Sequence, residues 1–68
     1  MIQINLLKGL LKEHDDSLED YAKVIGRSLT TVQERFKKGN FVRHEMLATK
    51  IHYNLSNERF MEIFFNEK

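Results

Sequence analysis

The sequence predicts an all-α fold, a compact bundle of five helices. Three observations lead to this prediction. Apolar residues recur at helical spacing, as in the stripe formed by Ile4, Leu7 and Leu11. Residues that start and end helices, such as Ser17 and Gly26, occur at short intervals along the chain. The sequence contains no proline, so no residue removes a backbone donor from a helix interior.

The first helix is predicted over residues 4–13. Gly9 lies inside it and weakens it by about 1 kcal/mol relative to alanine, which we interpret as a sign of close packing against a neighbour. The polar residues His14, Asp15 and Asp16 end this helix and link it to the next one.

Two short helices joined by a tight turn are predicted between residues 17 and 38. The hydroxyl of Ser17 caps the first of them, and Asp20 places a carboxylate near the positive end of that helix. Gly26 ends the helix in the left-handed conformation, and Ser28 caps the helix that follows. Two helices separated by a three- or four-residue turn that contains glycine form a helix-turn-helix motif.

The two helices of this motif are predicted to span residues 18–25 and 29–37. Val32 and Phe36 form the core side of the second helix, because they lie one turn apart on the same face. The opposite side presents Thr30, Gln33, Glu34 and Lys37 to solvent.

A fourth helix is predicted over residues 44–53, after a turn at residues 38–40. Phe41 is expected to anchor the loop before this helix to the core. The inward-facing candidates on the helix are Met46, Leu47, Ile51 and Tyr53.

The C-terminal segment at residues 57–66 is too apolar for an isolated exposed helix. It contains the fifth predicted helix, from 58 to 65, which Ser56 or Asn57 caps. Its apolar residues form two stripes, one with Phe60, Ile63 and Phe64 and the other with Met61 and Phe65. One stripe packs on the domain's own core. The other is either exposed, as a surface for a partner, or buried in a small core that needs every aromatic side chain.

Length and composition argue against several classes of protein. Sixty-eight residues make one domain, residues 1–68, and the absence of cysteine excludes a disulfide or a Cys-based zinc site. No apolar run reaches the ~18 residues of a membrane-spanning helix, and no signal peptide is visible, so we expect a cytoplasmic protein with no membrane partner. His44 and His52 lie two helical turns apart, too far for one metal. We therefore expect no metal, no cofactor, no small-molecule substrate and no enzymatic activity.

Charge is distributed unevenly along the chain, although the net charge is only +1. Residues 13–20 hold five acidic side chains and no lysine or arginine. Residues 27–43 hold five basic side chains and one acid, Glu34. A phosphate backbone would be attracted to the second segment and repelled by the first, so this polarity predicts an orientation on a nucleic acid.

The predicted motif resembles the helix-turn-helix of phage repressors and Cro proteins, the lambda repressor-like or XRE-type family. The residues that carry this resemblance are Ala22, Gly26, Ser28, Val32 and Phe36. In that family a small residue precedes the turn glycine by four positions, and two apolar residues follow the glycine at six and ten positions. The segments at residues 54–56 and 60–65 are also similar to the tail of short regulators from phages of Gram-positive bacteria.

The resemblance implies a compact lambda repressor-like five-helix bundle that binds double-stranded DNA as a repressor- or Cro-like transcriptional regulator of phage or prophage origin. By position, the base-reading residues would be Leu29, Thr30 and Gln33, with Thr31 at the edge of the groove. The phosphate-binding residues would be Arg27, Ser28, Lys37, Lys38, Asn40 and Arg43. Gln33 is the strongest candidate for specificity, because its amide pairs with adenine in the major groove. Glu34 and Arg35 are expected to be solvated.

A second hypothesis keeps the fold and changes its use. Leu18 and Leu29 replace residues that would donate hydrogen bonds to DNA in relatives, so the module could instead bind another protein, as an antirepressor that engages a regulator. A third hypothesis is a structural or assembly module whose tail forms an oligomer, for example a homodimer. The surface expected to serve a dimer or another partner comprises Phe60, Met61, Phe64 and Phe65.

Overall fold

Five α-helices form the secondary structure of the computed structural model, which describes residues 2–66. They are α1 (Ile4–Glu13), α2 (Leu18–Ile25), α3 (Leu29–Lys38), α4 (Arg43–His52) and α5 (Asn57–Phe64). The predicted all-α five-helix architecture is confirmed. The first two helices have the predicted bounds, α3 is one residue longer, and α4 and α5 each begin and end one residue earlier. The single-domain prediction also covers residues 1, 67 and 68, which lie outside the described residues.

Side-chain caps determine where the two central helices begin. The Ser17 hydroxyl accepts a hydrogen bond from the Asp20 amide at 3.2 Å, and the Asp20 carboxylate accepts one from the Ser17 amide at 2.9 Å. This reciprocal pair is the predicted capping box. Ser28 likewise accepts from the Thr31 amide at 3.2 Å. Gly26 ends α2 with a φ of 69°, as predicted from its lack of a side chain.

Residues from α1, α2, α3 and α5 and from the loops on either side of α4 form one hydrophobic core, against which Met46 and Ala48 of α4 pack. α2 packs against both α3 and α4, and α1 packs against α5. Tyr21 lies at the centre, with its ring 5.8 Å from that of Phe36 and 6.4 Å from that of Phe41. Phe41 is buried, so the predicted anchor of the loop before α4 is confirmed. The other buried hydrophobic residues are Leu7, Leu10, Leu11, Ala22, Ile25, Val32, Tyr53, Leu55, Ile63 and Phe64.

The inward face of α4 was predicted incorrectly at two positions. Leu47 is exposed, and 78% of Ile51 is accessible to solvent. The residues that point inward within the helix are instead Glu45 and Thr49, both with no solvent exposure. Of the other inward candidates, Met46 is half-buried and Tyr53 is buried just after the helix.

Hydrogen bonds explain why a polar face is buried at this position. The Thr49 hydroxyl donates to the carbonyl oxygen of Glu45 at 2.8 Å, which leaves its oxygen free to accept a hydrogen bond from the buried Tyr21 hydroxyl. Burial raises the pKa of Tyr21 to about 12, so this hydroxyl stays protonated as a donor. Because Tyr21 lies on α2, the period of apolar residues within α4 does not reveal this partner.

The two stripes of α5 have different environments. Ile63 and Phe64 are buried and Phe60 is half-buried. Met61 and Phe65 are 52% and 45% exposed, so the alternative in which both stripes enter the core is wrong. Of the two predicted caps, the structure uses Ser56, whose hydroxyl accepts from the Arg59 amide at 3.1 Å.

Gly9 and Gly26 are expected to respond to alanine substitution in opposite directions. Gly9 is exposed and a Cβ there would meet nothing within 4 Å, so the close packing predicted at this glycine is wrong. Gly9→Ala should therefore raise the free energy of unfolding by about 1 kcal/mol through helix propensity. Gly26→Ala should lower it by about 1 kcal/mol, because φ is 69° there. Urea denaturation followed by circular dichroism measures both, and shifts of the same sign would contradict this explanation.

Candidate nucleic-acid interface

One side of α3 is buried in the core and the opposite side is open to solvent. Val32 and Phe36 are buried, as predicted. Thr30, Gln33 and Lys37 are exposed and follow one another at intervals of three and four residues. They form a polar ridge along the outer face of the helix.

The start of α3 is stabilised by its own side chains. The Ser28 hydroxyl donates to the Thr31 hydroxyl at 3.1 Å and accepts from the Thr31 amide. Leu29 and Thr31 are half-buried, whereas Thr30 is exposed. Among the four predicted base-reading residues, Thr30 and Gln33 are therefore the most accessible.

A fully buried carboxylate connects both ends of α3 to α4. Glu45 Oε2 accepts from Arg27 Nε at 2.7 Å, and Glu45 Oε1 accepts from Arg35 Nε at 3.0 Å. Oε1 also accepts from the Val42 amide at 3.0 Å, which caps the start of α4. Arg27 precedes α3 and Arg35 lies in its last turn, so one acidic group holds the helix at two points.

Glu45 is a residue of this site that the sequence analysis does not predict. Its position three residues after Val42, the residue that precedes α4, is the available signal, since glutamate there commonly caps the helix start. Val42 has no side-chain acceptor, so only the glutamate half of a capping box is present. The two arginines that complete the site lie 10 and 18 residues away in sequence.

The arginines at this site are placed differently from expectation. Arg35 was predicted to be solvated, but its side chain is only 16% exposed and is paired with Glu45. The prediction failed because the partner lies on α4. Arg27, a predicted phosphate-binding residue, is half-buried, and its Nε is already used by Glu45.

The carboxylate is held in its charged form. Burial by itself raises the pKa of Glu45, but hydrogen bonds from Arg35, Arg27 and the Val42 amide outweigh burial and bring the pKa below its ordinary value of 4.5. At neutral pH the site therefore carries one negative and two positive charges.

Four further predicted phosphate-binding residues are exposed around the end of α3. They are Lys37, Lys38, Asn40 and Arg43. Lys38 Nζ lies 3.9 Å from the carboxylate of Glu34, an exposed pair that contributes little to stability. Glu34 is exposed, as predicted.

The acidic segment lies at the link between α1 and α2, and several of its charges are already engaged. The Tyr53 hydroxyl donates to Asp16 at 2.7 Å, and Arg59 forms two hydrogen bonds with Glu13, at 3.1 and 2.7 Å. Asp20 serves the cap of α2. Three of the five acidic side chains at this end thus have structural partners.

Residues 2–66 contain no group of three or more histidine, cysteine or acidic side chains arranged to hold a metal ion. Within the same residues, no helix has both the length and the apolar character needed to cross a bilayer.

Comparison of the chain with protein-family models, with curated proteins and with solved structures gives no match.

Proposed function

We propose that the protein binds double-stranded DNA through the outer face of α3 and acts as a transcriptional regulator. The observation that carries this proposal is the exposed polar ridge formed by Thr30, Gln33 and Lys37, opposite a face held in the core by Val32 and Phe36. A helix presented in this way fits the major groove, where base edges display distinct hydrogen-bonding patterns.

The spacing along the ridge suggests a division of roles. With a rise of about 1.5 Å per residue, Gln33 lies about 4.5 Å along the axis from Thr30, and Lys37 about 6 Å further. Thr30 and Gln33 have the chemistry to contact base edges, with the glutamine amide suited to adenine. Lys37, Lys38 and Arg43 would contact phosphates, which set the position of the helix without reading sequence.

The Glu45 site supports this proposal by fixing α3 in place. A recognition helix has to reach base edges in a defined position, and a helix held at both ends by one buried carboxylate has little freedom to shift.

The direct test is selection from a pool of random duplexes, followed by binding measurements over a series of salt concentrations. A DNA-binding regulator should enrich a defined sequence, and its affinity should fall steeply with salt because bound phosphates release counterions. Failure to enrich any sequence, together with no salt-dependent binding, would overturn the proposal.

Gln33→Ala is expected to relax sequence preference. The variant should lose about 1–3 kcal/mol of affinity for the selected duplex, because an amide pair with a base edge disappears. Its affinity for mixed-sequence DNA should be unchanged. Asn5→Ala is the matched control, since Asn5 is an exposed amide on α1. If both variants keep the wild-type preference in a competition titration, Gln33 does not read bases.

A further inference from the structure

The outer faces of α4 and α5 adjoin and leave an apolar groove between them. The groove has a volume of about 400 Å³ and is lined by Arg43, Met46, Leu47, Phe60 and Phe65. Exposed apolar surface of this kind on a small domain commonly marks an interface.

The exposed stripe of α5 combines apolar and acidic side chains. Glu58, Met61, Glu62 and Phe65 are all exposed and follow the spacing i, i+3, i+4 and i+7, so they lie on one side of the helix. Neither glutamate forms an ion pair with any residue between 2 and 66.

The outer stripe of α4 has the opposite charge. Arg43, Leu47 and Ile51 are exposed and lie one turn apart, with the half-buried Lys50 beside them. Lys50 Nζ lies 5.8 Å from the centre of the Phe60 ring, at the α4–α5 junction. Neither basic residue has an acidic partner within the described part of the chain.

We propose that these two faces bind each other between two copies of the chain. The acidic and apolar face of α5 from one copy would cover the basic and apolar face of α4 from the other. A two-fold axis makes the same contact twice, because in a symmetric dimer each surface meets its complement on the partner. A second copy is the favoured occupant because this chain itself carries both halves of a complementary pair.

The dimer faces share only Arg43 with the residues proposed to contact DNA, and neither face includes the ridge on α3. Self-association is therefore measured without DNA, and its absence would leave the DNA-binding proposal untouched. Sedimentation equilibrium over a range of protein concentrations should show a monomer–dimer equilibrium. A monomer at every concentration up to about 1 mM would overturn the inference, whether or not another protein binds the groove.

Charge reversal tests the reciprocal geometry. One variant combines Arg43→Glu with Lys50→Glu, and a second combines Glu58→Lys with Glu62→Lys. Each alone places like charges in both halves of the interface, so the dissociation constant of its dimer should rise at least about tenfold. An equimolar mixture should restore dimers, because each basic face then meets an acidic face. A mixture that remains monomeric, or single variants that dimerise as the wild type does, would overturn the proposal.

An apolar pair provides the matched control. Leu47 and Leu6 are 39% and 40% exposed, but only Leu47 lines the groove. Leu47→Glu should weaken the dimer at least about tenfold, and Leu6→Glu should leave it unchanged. Circular dichroism establishes that both variants are folded. Equal loss of dimer in the two variants would contradict an interface at α4 and α5.

Discussion

Glu45→Gln is expected to destabilise the fold by about 3 kcal/mol, because it breaks a buried ion pair. Three donors converge on the Glu45 carboxylate, from Arg27, Arg35 and the Val42 amide. A glutamine side chain offers one acceptor oxygen and places an NH₂ group where the second oxygen stood. At least one donor then faces another donor in a site closed to water.

The expected loss is large in relation to the total stability. A domain of this size, without disulfides or a metal, rarely exceeds about 3–5 kcal/mol of folding free energy. We therefore expect the variant to retain no more than about 2 kcal/mol of folding free energy, as measured by urea denaturation with far-ultraviolet circular dichroism. Glu34→Gln is the control, because Glu34 is exposed and should shift stability by no more than about 0.5 kcal/mol. Equal stabilities of the two variants would show that the Glu45 site contributes nothing.

Acid titration provides a second measurement of the same site. The folded-state pKa of Glu45 lies below 4.5, so the unfolded state takes up the proton first. The charged Glu45 side chain contributes its full stabilisation at pH values above 4.5, its ordinary pKa. This contribution is lost as the pH falls through the lowered pKa of the folded state. Glu13 and Asp20 also have lowered pKa values, from the Arg59 side-chain hydrogen bond and from the Ser17 amide, respectively. Stability of the wild type should decrease below pH 4.5 more steeply than that of Glu45→Gln.

Local sequence was enough to predict most helix boundaries. The caps at Ser17 and Ser28 and the left-handed Gly26 act within three or four residues, so their partners are readable from the chain itself. The alternation of Val32 and Phe36 with polar residues likewise identified the inner and outer faces of α3. These features depend on contacts within one turn of a helix.

Long-range polar contacts were not predictable in the same way. Apolar periodicity predicts that Leu47 and Ile51 face the core. In the structure Glu45 and Thr49 are the α4 residues that are buried. Their burial is favourable only because Tyr21 and two arginines supply hydrogen bonds from α2, α3 and the turn between them. A hydrophobic pattern assigns polar residues to the surface. It does not account for hydrogen-bonding partners on other helices, which make the burial of a polar residue favourable.

The candidate interface shows both situations. Thr30 and Gln33 were expected on the open side of α3 and are exposed there. Arg35 was expected in solvent and lies instead against Glu45, because a charged side chain is buried when a paired opposite charge is available. The sequence identifies the residues of α3 that face outward. It does not reveal the buried ion pairs of Glu45 with Arg27 and Arg35, which hold α3 in place.

Reversing both lysines at the end of α3 is expected to have the largest effect on DNA binding. Lys37→Glu combined with Lys38→Glu should lower the affinity for a mixed-sequence duplex about 100-fold at 0.1 M salt. Two counterion-releasing contacts are lost and two negative charges approach the phosphates. The slope of log K against log salt should decrease by about two. Fluorescence anisotropy with a labelled duplex measures both quantities.

The matched control changes the net charge equally at another location. Lys8 and Lys12 are exposed on α1, and Lys8→Glu with Lys12→Glu alters the net charge by the same four units. At 0.1 M salt the screening length is about 10 Å, so charges distant from the duplex have little influence on its binding. The α1 variant should therefore bind nearly as the wild type does. If the two variants weaken binding equally, overall charge drives association, and the end of α3 has no special position against the phosphate backbone.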